Sequence, residues 1–314
     1  MAVIIRAMEE KDVVPATRIF RAAFAKFIGL ADPELFAPTC EVLRARRLMN
    51  PDACFVAERD GAVLGSNMAT RWGSVGFFGP LTVDPSAWDQ GLGKQLMEPV
   101  MKVFDRWGVR HAGLFTFPHS AKHLGLYQKF GFWPGSLTAL FGKPLDASQP
   151  AGAEPPTYAA LSEPEKASCL SDLRKITGAA YEGLDLSDEV RAVHEFNLGE
   201  TVLLREGSET VGFGVCHFGT GSEGGTIACY LKFGAVSPGP GAGERFERLL
   251  RDCEAMARSR KLPNFAAGVS LGRVEAYQKF RDLGFRLEFQ GVAMHRPHEP
   301  PYHRRGVFVV DDWR

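Results

Sequence analysis

Hydrophobic and polar positions along this chain follow two periods, one of two residues and one of about three and a half. Residues 2–6 read as a short strand, and from residue 12 to about 27 Val13, Ala16, Ile19, Phe20 and Phe24 share one face of a helix. Strands are expected at 54–58 and 63–68, joined through Arg59-Asp60-Gly61, where Asp-Gly suits a tight hairpin turn. A further strand is expected to run unbroken over 75–83. Gly91-Leu92-Gly93 then opens a helix that buries Leu96, Val100, Val103, Phe104 and Trp107. A strand at 112–117, a short helix carrying Tyr127 and a strand at 136–141 close this half.

The chain then repeats itself. Gly91, Gly93, Arg110, Phe115, Tyr127, Gln128, Lys129 and Phe130 recur 150 positions later as Gly241, Gly243, Arg260, Phe265, Tyr277, Gln278, Lys279 and Phe280. Beyond the inserted Arg281-Asp282-Leu283, Gly131-Phe132 meets Gly284-Phe285. The second half predicts a helix at 163–177, strands at 201–205, 211–218 and 227–236, and a helix burying Phe246, Leu249, Leu250, Cys253 and Ala257. Its tail holds an apolar Val307–Val310 that suits an edge strand. The stretch 146–156, rich in Pro and Ala and poor in bulky apolar residues, marks a seam. The expectation is therefore a mixed α/β protein of two tandem domains, 1–146 and 158–314, joined by a linker at 147–157. Each is a twisted mixed sheet with helices on both faces.

Charge narrows the partners. Among 314 residues, 37 Lys and Arg balance 37 Asp and Glu, which removes the electrostatic reason to expect a nucleic-acid or anionic-membrane partner. No apolar run approaches the roughly 18–20 residues of a membrane helix. Arg6, Glu9, Glu10, Lys11 and Asp12 stand where a signal peptide needs an apolar stretch, so a cytoplasmic location is expected. The six cysteines form no CxxC pair and no metal-like cluster with the eight histidines; free buried thiols and no metal are expected.

The glycine-rich turn carries the first chemistry. Glycines let the backbone approach a ligand, the first N–H groups of the following helix are free to bind an anion, and Lys94 adds a cation. A plain structural turn has the same look. The strand ending in Thr82-Val83, the turn Gln90-Gly-Leu-Gly-Lys-Gln-Leu96 and the later Leu126-Tyr-Gln-Lys-Phe-Gly-Phe132 together resemble the GCN5-related N-acetyltransferase (GNAT) superfamily, in both halves.

That resemblance implies acetyl-CoA as co-substrate. It assigns the pantetheine arm to the main chain of Leu81, Thr82 and Val83, and the diphosphate to the turn formed by Trp88, Asp89, Gln90, Gly91, Leu92, Gly93 and Lys94. Trp88 stands where the family has Gln or Arg. Tyr127 matches the family's general acid and Ser120 the position of a frequent Asn, both beside the cofactor. A core tyrosine remains the alternative for Tyr127. The base is open among His119, Glu58, Asp84 and water.

The implied reaction is direct attack of a small molecule's primary amine on the thioester, by a monomer or homodimer. A non-catalytic acyl-CoA or metabolite-binding module is the rival. In the second half Pro238 and Pro240 lack N–H groups and Glu244 replaces Lys94, so that half is expected to have lost the cofactor and to shape the acceptor pocket. Phe77, Phe78, Phe115 and Phe117 are candidates to line an apolar acceptor cleft.

Overall fold

Alternating apolar residues fold the first half into strands that cover one another in order. In the computed structural model, which describes residues 2–146 and 152–314, β1 (Ile4–Ala7) lies antiparallel to β2 (Cys54–Arg59). Between them run α1 (Val13–Ile28) and α2 (Val42–Met49). There follow β3 (Ala62–Trp72), β4 (Val75–Phe78), the two-residue β5 (Thr82–Val83), α3 (Leu92–Trp107), β6 (His111–Thr116), α4 (Ala121–Gln128) and β7 (Trp133–Pro144). The second half supplies α5 (Glu163–Ala180), α6 (Ser187–Glu195), β8 (Gly199–Glu206), β9 (Glu209–His217), β10 (Cys229–Val236) and α7 (Ala242–Ser259). It ends with β11 (Asn264–Ser270), α8 (Val274–Asp282), β12 (Arg286–Arg296) and β13 (Val309–Val310).

One mixed sheet runs through both halves in the order β1-β2-β3-β4-β6-β12-β7-β11-β10-β9-β8. The two strands at its centre are exchanged. β12 of the second half pairs with β6, while β7 of the first half pairs with β11. Each strand carries apolar residues into the other half's core. Phe141 stacks on Phe280 with ring centroids 5.3 Å apart, and Met294 packs with Met97, Phe104 and Phe132.

Helices cover both faces because strand residues alternate between them. On β3, Met68 faces the cluster under α1 and α2, whereas Ala69 faces the cluster under α3 and α4. On β8, Leu203 faces α5 and α6, while Val202 and Leu204 face α7. Between the halves lies a buried ionic chain. The guanidinium of Arg46 forks onto Glu223 at 3.0 and 3.1 Å, and Lys232 bridges Glu223 at 2.7 Å and Glu189 at 2.9 Å. Burial pushes the Glu189 carboxyl up, but Lys232 and His217 outweigh it and hold it at about 2.

Several expectations need correction. The strand expected over 75–83 breaks after Phe78, because Gly79 takes φ +141° and Pro80 has no N–H to continue the ladder. The strand expected at 136–141 is longer and lies between two strands of the second half. The periodicity did not reveal α2, α6 or β12. The tail strand is not at an edge: β13 pairs with β10 inside the sheet. Of the expected linker, 147–151 lie outside the described residues, while the Pro156 carbonyl accepts from the Leu203 N–H at 2.8 Å. All six cysteines are free and five are buried. No helix among the described residues is long and apolar enough to cross a membrane.

Candidate active site

Two parallel strands that pair at one end and part at the other leave a wedge between them. β4 and β6 pair only from Val75↔His111 to Phe77↔Gly113. The chain then bulges by one residue, and β5 resumes on β3 as Ser66↔Thr82 and Gly65↔Val83. Among the described residues, no strand lies between β5 and the end of β6. Arg46 holds the bulge, donating from Nη1 to the Gly79 carbonyl at 2.6 Å.

The glycine turn stands at the end of this wedge. Gly91, at φ +77°, caps α3 in the left-handed region where a side chain would be strained. The N–H groups of Leu92, Gly93 and Lys94 find no acceptor among the described residues, and the first bond of the helix runs from Gln95 to Gly91. Leu92 is buried and offers only its backbone; Lys94 is exposed. Trp88 donates its indole N–H to the Val83 carbonyl at 2.8 Å, tying the turn to β5.

Cations that the sequence pattern did not single out gather around the turn. Arg59 reaches Gln90 at 2.8 Å and Lys122 reaches Asp89 at 2.5 Å. Lys26 lies 5.0 Å over the Trp88 ring. These residues come from α1, β2 and α4, and no local motif links them.

Tyr127 reaches the wedge from the α3 face. Its ring is buried edge-on against Phe78 at 5.7 Å, and its hydroxyl is hydrogen-bonded to Thr116, the last residue of β6. Burial pushes the phenol up to about 12, so it holds its proton at neutral pH. Ser120 lies on the backbone side of α4, where its Oγ caps the helix by accepting from the His123 N–H at 3.3 Å.

The candidate bases are not gathered with Tyr127. Glu58 is paired with Arg6 at 2.5 Å, and Asp84 accepts from the Ser86 N–H at 2.8 Å in the turn after β5. His119 is exposed and stacks on Phe27 at 5.5 Å. Two of the four acceptor-cleft candidates are core residues instead: Phe77 packs on Trp72 at 4.6 Å, and Phe78 lies under Tyr127. Phe115 and Phe117 point to the opposite face of β6 from Thr116, where Phe117 packs on Phe24 and Phe27 of α1 and Phe115 lies 6.5 Å from Phe289.

The second half has the same wedge in another state. β10 and β11 pair in parallel from Cys229↔Phe265 to Leu231↔Ala267 and then part. Here β13 fills the gap, with Val310 opposite Gly234 and Val309 opposite Ala235. Phe308 lies against Gly243 and packs on Phe246 at 5.1 Å. The turn amides are occupied too: Ala242 donates to Gly239 at 3.1 Å and Glu244 to Gly241 at 3.1 Å.

Comparison with known proteins agrees with this geometry. Residues 18–132 match the model of the acetyltransferase (GNAT) family. The mycothiol acetyltransferase of Beutenbergia cavernae is 31% identical over 120 residues, which span 36% of this chain and only 40% of that protein. Two solved structures share the fold along nearly the whole chain. One is a Pyrococcus horikoshii protein, 14% identical, with TM-score 0.67 over 99% of this chain and 95% of its own. The other is a GCN5-related N-acetyltransferase from Sphaerobacter thermophilus, 17% identical, with TM-score 0.64 over 98% and 97%. The open wedge and the glycine turn both lie within residues 18–132, the part of the chain that is similar to the GNAT acetyltransferase family.

Proposed function

We propose that the chain is an acetyl-CoA-dependent N-acetyltransferase that acetylates the primary amine of a small molecule, with its donor site in the wedge of the first half. One contrast carries the reading: the first wedge is open beside unpartnered turn amides, whereas the second is filled by β13 beside turn amides already bonded. The fit is chemical as well as spatial. Leu81 and Thr82 offer main chain along the wedge, and the Leu92, Gly93 and Lys94 amides with the Lys94 cation suit a diphosphate. Asp89, Gln90 and Trp88 shape that turn rather than present free donors. The second half is then a degenerate copy of the same fold, retained for its strands and for the acceptor side.

Acetyl-CoA supplies an activated acyl group on a thiol leaving group. Attack by a neutral amine forms the C–N bond and breaks the C–S bond, with main-chain N–H groups of the wedge facing the carbonyl oxygen. Tyr127 gives its phenolic proton to the departing thiolate, and Thr116 fixes the direction of that hydroxyl. The amine's proton passes to water, because among the described residues no carboxylate or histidine is paired with Tyr127.

An amine panel with acetyl-CoA, followed by release of free thiol, tests the reading. Turnover with at least one amine, and one acetyl-CoA bound per chain, are expected. Binding without turnover on any amine would instead make the chain an acyl-CoA-binding module, and no binding would overturn the proposal.

A further inference from the structure

Trp88, partly buried at the end of the open wedge, is surrounded by more positive charge than a structural turn needs. Its indole N–H is spent on the Val83 carbonyl at 2.8 Å, so the ring is fixed against β5 and has no donor left for a phosphate. Over that ring stand two ammonium groups, Lys26 at 5.0 Å and Lys122 at 5.9 Å from its centroid. They come from α1 and α4, which cover opposite faces of the sheet. The two helices meet just past the end of β6: Phe27 lies 5.0 Å from His123, and both rings pack on Phe117. Each lysine directly precedes one of those two touching rings, which brings both to the same mouth.

Carboxylates do not account for both cations. Asp89 pairs with Lys122 at 2.5 Å, the two side chains being 80% and 61% exposed. Asp84 turns to Ser86, and Glu58 to Arg6. Among the described residues Lys26 is in no ion pair. Two like charges on one ring repel, and a cation over an exposed ring gains little to offset that. A multiply charged anion between them relieves the repulsion and draws Lys122 from Asp89.

We infer that Lys26 and Lys122 form a second anion subsite, beside the turn amides, for the phosphate on the nucleotide ribose of the donor. The inference rests on the donor site proposed above. There the Leu92, Gly93 and Lys94 amides, with the Lys94 cation, account for the diphosphate. Acetyl-CoA carries one phosphate more, a dianion one ribose away. Trp88 lies three residues before Gly91, so their Cα atoms are at most about 11 Å apart, a span that flexible lysine stems help to cover. An amine acceptor gains nothing from these cations. The subsite therefore selects a donor whose nucleotide bears that phosphate over one that lacks it. Lysine stems that merely cover the Trp88 ring confer no such selectivity.

Calorimetric titration of the full chain with acetyl-CoA and with 3′-dephospho-acetyl-CoA tests it. The unmodified protein should bind acetyl-CoA about tenfold more tightly, the worth of charge-assisted contacts to one phosphate. In the double variant Lys26→Gln, Lys122→Gln that preference should shrink to about twofold or less. Lys94→Ala should weaken both donors alike, while Lys175→Gln, at an exposed lysine of α5, should change neither. Equal affinity of the unmodified protein for the two donors, or an undiminished preference in the double variant, overturns the inference and leaves the donor site standing. No binding of either donor overturns both.

Discussion

In the reading proposed above, Tyr127 is where the chemistry and the packing of the first half would meet. Its ring fills the core beside Phe78 while its hydroxyl reaches Thr116 at the mouth of the wedge. As general acid, Tyr127→Phe should lower kcat by about 10²–10⁴ and leave the acetyl-CoA Kd unchanged. As a core residue alone, the same change leaves kcat intact and costs about 1–3 kcal/mol of stability by unpairing Thr116. Steady-state kinetics beside chemical denaturation separates the two. Because burial lifts the phenol to about 12, activity lost between pH 8 and 10 should persist unaltered in form in Tyr127→Phe. The sequence identified Tyr127 by its place in a motif. It did not disclose Thr116 as the hydroxyl's partner, since the two meet only through the pairing of a helix with a strand end. The pattern likewise suggested Phe77 and Phe78 for the cleft, because alternation alone does not say which face of a doubly covered strand is open.

At the level of elements, the wedge depends on a bulge that Arg46 holds open. Its guanidinium is 1% exposed and joins the Gly79 carbonyl, Glu223 and the carbonyl of the final residue, Arg314. Arg46→Met leaves Glu223 buried with fewer partners and should cost about 3–5 kcal/mol in denaturant unfolding. The same variant, in its folded fraction, should bind acetyl-CoA more weakly; unchanged affinity would show that the bulge stands without Arg46. Lys94→Ala should weaken acetyl-CoA binding several-fold and flatten its dependence on salt, checked by titration at low and high ionic strength. Long amphipathic helices such as α1, α3 and α7 were legible because their apolar faces repeat cleanly. The eight-residue α2 was not: Arg44, Arg46 and Arg47 interrupt its apolar face, and the buried one is explained only by Glu223 from the other half.

Across the molecule, the exchange of β7 and β12 makes the halves one structure, and it buries a set of histidines at the exchange. His111 on β6 lies 3.2 Å from His295 on β12, with His303 beyond. Burial lowers His111 to about 4, and burial with neighbouring cations lowers His295 and His303 to about 3. Groups depressed in the folded state bind protons more readily when unfolded. Their contribution is therefore complete above about pH 6.5 and is lost as pH falls toward 4 and 3. Unfolding free energy should drop by at least about 1.4 kcal/mol between pH 7 and 4.5, the worth of one unit on one histidine. A flat profile would contradict it. The repeat in the sequence announced two similar halves, yet the exchanged centre and the tail inside the second wedge stayed hidden. Both are pairings between distant segments whose local patterns read equally well at an edge. The central claim is tested most directly by hydrogen exchange with and without acetyl-CoA. New protection at the amides of 81–83 and 92–94, with none at 234–244, is the predicted result. Protection confined to 234–244, or none in either wedge, would contradict it.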